Sequence, residues 1–301
     1  MNTLLIVITI MLFSTQTLSM KLIKAGPLRE RLLIYAGFTF IASVGLLLFS
    51  LFQPEARQFS PETLMFGILF GLGFMLTIIF YNLAISTGPL SYTAFYFSAS
   101  MLIPTVTGII AFNEAMTLTT VAAILLFLAA FYFINVNPDP KSEGGSTKRS
   151  DKWLLYCMLT FLFNGLLAVI QKFHQHQMEG TQSSGLMFVG FCSAFVFYIL
   201  AYTVQYVTGK EQESLTISGE GTVLRQNLLP MLLLAATSLI GNIIMTFLSG
   251  VVPSSYLFPL VQGSIIVCIT LCSMLLFREK LSTFGKIGIM LGVFAIIIIN
   301  L

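Results

Sequence analysis

The sequence predicts an all-α integral membrane protein: ten transmembrane helices arranged as two inverted five-helix repeats. Three observations lead there. The first is composition. Of 301 residues, 56% are hydrophobic and only 9% charged, with a mean hydropathy of +0.92, whereas a soluble domain is about 25% charged. The second is that apolar stretches follow one another along the chain, many near the ~20 residues a helix needs to cross a bilayer. The third is self-similarity. Pro89-Leu90-Ser91-Tyr92 returns as Pro253-Ser254-Ser255-Tyr256, and Ser100 returns as Ser264. Phe112-Asn113-Glu114-Ala115-Met116-Thr117 returns as Phe277-Arg278-Glu279-Lys280-Leu281-Ser282, at an offset of 164 residues that slips once to 165. Thr9 through Lys21 also aligns with Thr160 through Lys172 at an offset of 151. A repeat on this scale sets the architecture and takes precedence over local readings.

The first five helices are expected over about 2–23, 31–52, 61–87, 91–112 and 118–135. The first lacks a basic leader and a small-residue cleavage site, so it reads as a membrane helix rather than a signal peptide. The third opens on Pro61-Glu62 behind Ser60, a capping residue followed by a helix-starting proline. The second five are expected over about 152–174, 184–207, 227–251, 253–277 and 282–301, with a polar loop over 208–226. Between the two sets lies a polar, Gly/Pro-rich stretch that reads as a solvated linker. The chain thus divides into a first repeat, 1–137, a linker, 138–152, and a second repeat, 153–301. Five helices per half is an odd number, so the second half enters the membrane in the opposite sense. Inverted repeats of this kind hold substrate near the midplane. Gly67, Gly71 and Gly73, then Gly241, then Gly285, Gly288 and Gly292 mark places where helix backbones approach closely in lipid.

Lys and Arg in short loops orient such a chain. Thirteen of the fifteen fall on one side of the expected topology; Arg57 and Lys172 fall on the other. This places the termini outside and the basic loops in the cytoplasm. A net charge of +3, spread over loops, offers no footprint for nucleic acid.

Every Asp and Glu lies in a loop or at a helix end. A buried carboxylate is the usual proton or sodium relay in membranes, so coupling through one is not expected. Glu114 and Glu279 occupy equivalent turns. Each is expected to cap the N-terminus of the next helix, where negative charge is favoured, either as part of a gate or as a plain interfacial cap. Lys21 and Lys172 each end the first helix of their half, either snorkelling to the interface or guarding a mouth and drawing in anionic or zwitterionic solutes. His174 and His176, two residues apart, face different sides and are expected in a solvated helix end. Cys157, Cys192, Cys268 and Cys272 sit in apolar runs as small hydrophobes. No zinc set accompanies them, so neither metal nor cofactor is expected.

Polar residues in the middle of helices are the best binding candidates, because lipid offers them no partner. They are Gln16 and Thr17, Asn82, Tyr96 and Ser100, Asn164, Asn242, and Tyr256 with Gln262. The alternative role for these residues is to hold helices together. Tyr92, Phe95, Tyr96 and Phe97 either stack on a solute or fill the core.

Phe277-Arg278-Glu279-Lys280-Leu281-Ser282, then Gly285 and Gly292-Val293, is similar to the Gly-Glu-Lys/Arg-Leu turn and glycine-rich last helix of the EamA-type ten-helix transporters, in the drug/metabolite transporter superfamily. The turn at Glu114 is a weaker copy, and Gly165 with Lys172 resembles the Trp-Gly…Lys pattern of the family's first helix. Arg278 and Asn113 stand where the family has glycine, and Phe13-Ser14 and Asn164-Gly165 where it has Trp-Gly. The resemblance spans nearly the whole chain. It implies a non-ATP carrier of small metabolites or amphipathic solutes working by alternating access, as exporter, exchanger or facilitator. It also implies a multi-pass protein of a bacterial-type cytoplasmic membrane, monomeric or homodimeric, with a cavity lined by the helices that carry the polar candidates. Several family members keep both termini in the cytoplasm, contrary to the charge count. The competing readings are a membrane-embedded enzyme and a non-transporting receptor or scaffold.

Overall fold

The structure, a computed structural model, describes residues 2–24, 28–52, 59–115, 117–136, 152–208, 220–276 and 282–299. Among them every regular element is a helix: α1 (Asn2–Lys21), α2 (Leu28–Phe52), α3 (Pro61–Thr87), α4 (Leu90–Ala99), α5 (Leu102–Phe112), α6 (Leu118–Val136), α7 (Trp153–Gln177), α8 (Ser183–Thr208), α9 (Glu220–Gln226), α10 (Leu228–Val251), α11 (Ser254–Leu276) and α12 (Thr283–Ile299). Seven spans are long and apolar enough to cross a membrane, and α6 and α12 add shorter apolar helices. The linker proper and the Glu279 turn lie outside the described residues.

Two expectations change. The fourth expected helix is two, α4 and α5, because Pro104 has no N–H to give the carbonyl of Ser100. That carbonyl accepts instead from the Ile103 N–H at 3.0 Å, and the Met101 N–H closes on Ser98 O at 3.2 Å. The turn tightens and the helix breaks at Ser100–Met101. The polar loop over 208–226 ends in the short helix α9.

Each long helix divides its surface. On α3, Phe70, Phe74, Ile78 and Tyr81 are buried while Leu64, Ile68 and Leu72 are exposed. Such an apolar outer stripe suits lipid, where the hydrophobic effect no longer drives helices together and close packing has to. Gly71 shows how close the packing is. A Cβ there would lie 2.6 Å from the Gly190 carbonyl oxygen and 2.8 Å from the Ala194 nitrogen, both backbone atoms of α8. The most extensive contacts join α12 with α6, α3 with α8 and α7, α2 with α8, and α1 with α10. Two apolar cores result, one around α4, α6, α11 and α12 with Trp153, the other around α2, α3 and α8. Cys157 is buried and the other three cysteines only partly so.

Local chemistry fixes the helix starts. Ser60 caps α3 as expected, its Oγ accepting from the Thr63 N–H at 3.1 Å. Asn227, fully buried ahead of α10, clamps the first loop. Its Oδ1 accepts from the Lys24 N–H at 2.7 Å and its Nδ2 donates to Lys24 O at 2.8 Å.

Candidate functional site: a neutral cleft between six helices

A narrow cleft, partly continuous with the outside, runs between α1, α3, α4, α7, α10 and α11. Five of the expected binding residues line it: Gln16 and Thr17 from α1, Asn164 from α7, Asn242 from α10 and Gln262 from α11. Rings from Phe13, Phe74, Tyr81, Phe97 and Phe258 make much of the remaining wall, and none of the described lining residues is charged.

Some of these polar groups are fixed from behind. Asn164 Nδ2 donates to Ser100 Oγ at 2.6 Å and to the Phe97 carbonyl at 3.2 Å. Asn242 Nδ2 donates to Ser238 O at 2.8 Å. Its Oδ1 accepts from Gln171 Nε2 at 3.4 Å, and the same Nε2 donates to Thr246 Oγ1 at 2.9 Å. Thr17 turns its hydroxyl proton back to Phe13 O. By contrast, Gln262 Oε1 is buried without a hydrogen-bond partner among the described residues. Gln16, 8% exposed, has no side-chain hydrogen bond among the described residues. Gln171 is a cleft residue the sequence reading missed. The signal was there: it follows Asn164 by seven residues, two helical turns on the same face.

The other expected binding residues lie elsewhere. Asn82 is one turn past Ile78, in an adjoining pocket with Arg31 and Ser86, where its Oδ1 accepts from the Arg31 guanidinium. Tyr96 is 1% exposed and meets the Trp153 ring edge-on at 5.8 Å, on the core side of α4. Ser100 sits behind Asn164 at the helix break and supports it without lining the cleft. Tyr256 is 41% exposed. Of the four aromatic residues of α4, only Phe97 reaches the cleft. Tyr92 is buried against Ser282, hydroxyl to hydroxyl at 3.1 Å.

The charged candidates form a separate feature. Glu114 does not cap the next helix, α6, whose first turn is served by Thr117 Oγ1 accepting from the Thr120 N–H. The Glu114 carboxylate crosses to α11 and accepts from the Ser254 and Ser255 N–H groups, both at 2.9 Å. It also lies 3.2 Å from Lys172 Nζ. Asn113 makes this reach possible. Its φ of 51° turns the chain left-handed, and the N–H groups of both Asn113 and Glu114 bond to Gly108 O. Gly108 leaves the space, since a Cβ there would meet Glu114 Oε2 at 2.6 Å. Burial pushes the Glu114 carboxyl up, but the two backbone donors and the Lys172 charge outweigh it and hold the group below the usual carboxylate range. Lys172 is thus a neutralised partner, set over the Phe112 ring, and does not line the cleft. Lys21 ends α1, with its side chain outside the described residues, as is the whole of Glu279.

His174 is fully buried, contrary to the expected solvated end. Gln175 Nε2 donates to its Nδ1 at 3.0 Å, and its Nε2 meets Thr63 Oγ1 at 3.0 Å. The network needs this histidine because α3, α7 and the start of α8 converge here. His176 is exposed, beside the Phe112 ring.

No protein-family model and no curated relative matches the chain. Twenty-eight chains of solved structures match its fold. One of them, described only as "Crystal structure of protein", aligns with a TM-score of 0.66 over 99% of this chain and 95% of its own, at 18% identity. At that identity the likeness speaks for the fold alone.

Proposed function

We propose that the protein is a secondary carrier of small solutes, of the EamA type within the drug/metabolite transporter superfamily, working by alternating access across a bacterial-type cytoplasmic membrane. One observation carries this reading: three helices from each half of the chain direct neutral amides and aromatic rings into a shared cleft, inside a bundle whose outer surface is apolar. Neutral polar groups inside a membrane bundle either join helices or face a solute path, and those on this cleft favour the second role because they converge on one space from both halves. The ten-helix inverted arrangement is supported by the pairing of helices. The contact of α1 with α10 has its counterpart in α7 with α3, and that of α3 with α8 in α10 with α2, while α2–α8 and α6–α12 join equivalent helices. Exchanging the halves returns these principal contacts.

The Glu114–Lys172 pair is a closed gate in this reading. It ties α7, the turn after α5 and the start of α11 at one end of the bundle, and opening that end separates the two charges. The carrier acts as monomer or homodimer, without ATP or a cofactor.

Flux in proteoliposomes tests the proposal. The purified protein is first screened for thermal stabilisation against metabolites of many classes, since a ligand of the folded state raises its stability. A stabilising solute that crosses liposomes only when the protein is present, and not with Asn164→Leu or Asn242→Leu variants, is the expected result. Stabilising solutes that never cross would end the carrier reading.

A further inference from the structure

From the hydrogen bonds the cleft leaves unmade, we infer that its solute is a planar nitrogen heterocycle carrying N–H donors beside ring acceptors, the edge pattern of a nucleobase. The inference rests on reading the cleft as the solute site and names the substrate class for it.

The accounting starts from the donors. A carboxamide has two N–H donors and one acceptor oxygen. Both Asn164 donors are taken, by Ser100 Oγ and Phe97 O, and both Gln171 donors, by Asn242 Oδ1 and Thr246 Oγ1. Neither amide can flip without losing its bonds. Phe97 O can only accept, and Asn242 is itself held by Ser238 O. Asn164 Oδ1 and Gln171 Oε1 therefore offer acceptors alone. Gln262 and Gln16 have no side-chain partner among the described residues, and Gln262 Oε1 is buried. Each of these two presents a whole amide, donor beside acceptor.

The Gln262 oxygen is costly to leave unmet unless a ligand supplies an N–H group, because a buried acceptor without a donor loses its hydration for nothing. A free amide pairs in two-fold fashion with an adjoining donor and acceptor, as Gln and Asn do on the edge of adenine. Phe13 and Phe258, from the same helices as the two free glutamines, supply faces for a flat ring. The absence of charge in the described lining argues against a carboxylate or an ammonium ion, whose desolvation no opposite charge would offset. Sugars would meet the amides, but the aromatic walls suit a flat ring better.

The experiment compares solutes that differ only in N–H groups: uracil against N,N′-dimethyluracil, and adenine against its fully N-methylated derivative. Sugars, amino acids, carboxylates and organic cations complete the panel, and the readout is unfolding temperature in detergent. The expected result is a concentration-dependent rise with a parent base and at least about tenfold weaker apparent affinity for its methylated partner, roughly one lost hydrogen bond. That rise disappears separately in Gln262→Leu and in Gln16→Leu. Should either variant fail to fold, the methylated pairs on the natural chain still decide. Equal stabilisation by parent and methylated compounds, or none by any heterocycle, overturns the inference. Flux of a sugar or amino acid without heterocycle binding would overturn it and leave the carrier standing. Binding of a base without flux would keep the inference and remove the carrier.

Discussion

At His174 and at Gln262 the chain buries side chains of similar polarity and finishes the work at only one of them. Each ring nitrogen of His174 has a partner, and Gln175 uses its amide on His174, Thr181 and Ser183. Thr63 adds a bond to Gln182 Oε1 at 2.8 Å. Gln262 Oε1 has no partner among the described residues. A network closed on itself stabilises the fold, and one left open is poised for a ligand. Burial and polarity alone do not separate the two; an unmet hydrogen bond together with a place on the cleft does.

Breaking closed networks should therefore cost stability, and changing the open one should cost recognition. The largest effect is expected at Glu114. Glu114→Ala strands a half-buried lysine and two helix N-terminal N–H groups, and should lose about 3 kcal/mol, read as unfolding temperature in detergent. Adding Lys172→Met should recover part of that loss, a coupling that a double-mutant cycle measures; strictly additive losses would deny the pair any role. Next comes His174→Ala, which leaves Thr63 and Gln175 each short of a partner, at about 2 kcal/mol. Acid provides a smaller, graded version of the first test. Because the folded Glu114 carboxyl sits below its ordinary value, its contribution is complete above the unfolded carboxylate range and is lost as pH falls through the folded value. The gap between the natural chain and Glu114→Gln should narrow below about pH 4; a gap that widens there would contradict the direction. The smallest stability change belongs to Gln262→Leu. Replacing an unpartnered amide with an apolar side chain should shift stability by less than about 0.5 kcal/mol, or raise it. A drop as large as that for His174→Ala would mean that the amide is structural, and the contrast would fail.

Much of this was legible in the residues. Uninterrupted apolar stretches define helices, and mid-helix amides point inward because lipid rejects them. Gln16, Thr17, Asn164, Asn242 and Gln262, picked out by that logic, do line the cleft. It fails where rotation about the helix axis matters. Tyr96 and Phe97 are neighbours about 100° apart on one helix, and only the surrounding helices decide which of them faces the cleft. Asn82 was misplaced because Arg31, its partner, comes from an expected helix start that read as one more loop cation. His174 looked like a solvated end because the residues that bury it, Thr63 and Phe66, lie more than a hundred positions earlier in the chain. Glu114 was recognised as a cap, but the helix it caps lies 140 residues on. Local propensity carries no information about that partner.

The packing order also bears on how the chain is made. Helices α1, α2 and α3 find their main partners in α10, α8 and α7, and Asn227 grips Lys24 across 203 positions. Contacts among the first three are slight by comparison. In the proposed carrier the early helices therefore enter the bilayer during synthesis long before these partners exist, with Gln16 exposed to lipid or to the insertion machinery while Arg31 and Asn82 can already pair with each other. A protein truncated after α6 would carry half the helices and almost none of the tertiary structure. Quality control in the cell would meet it as an orphan.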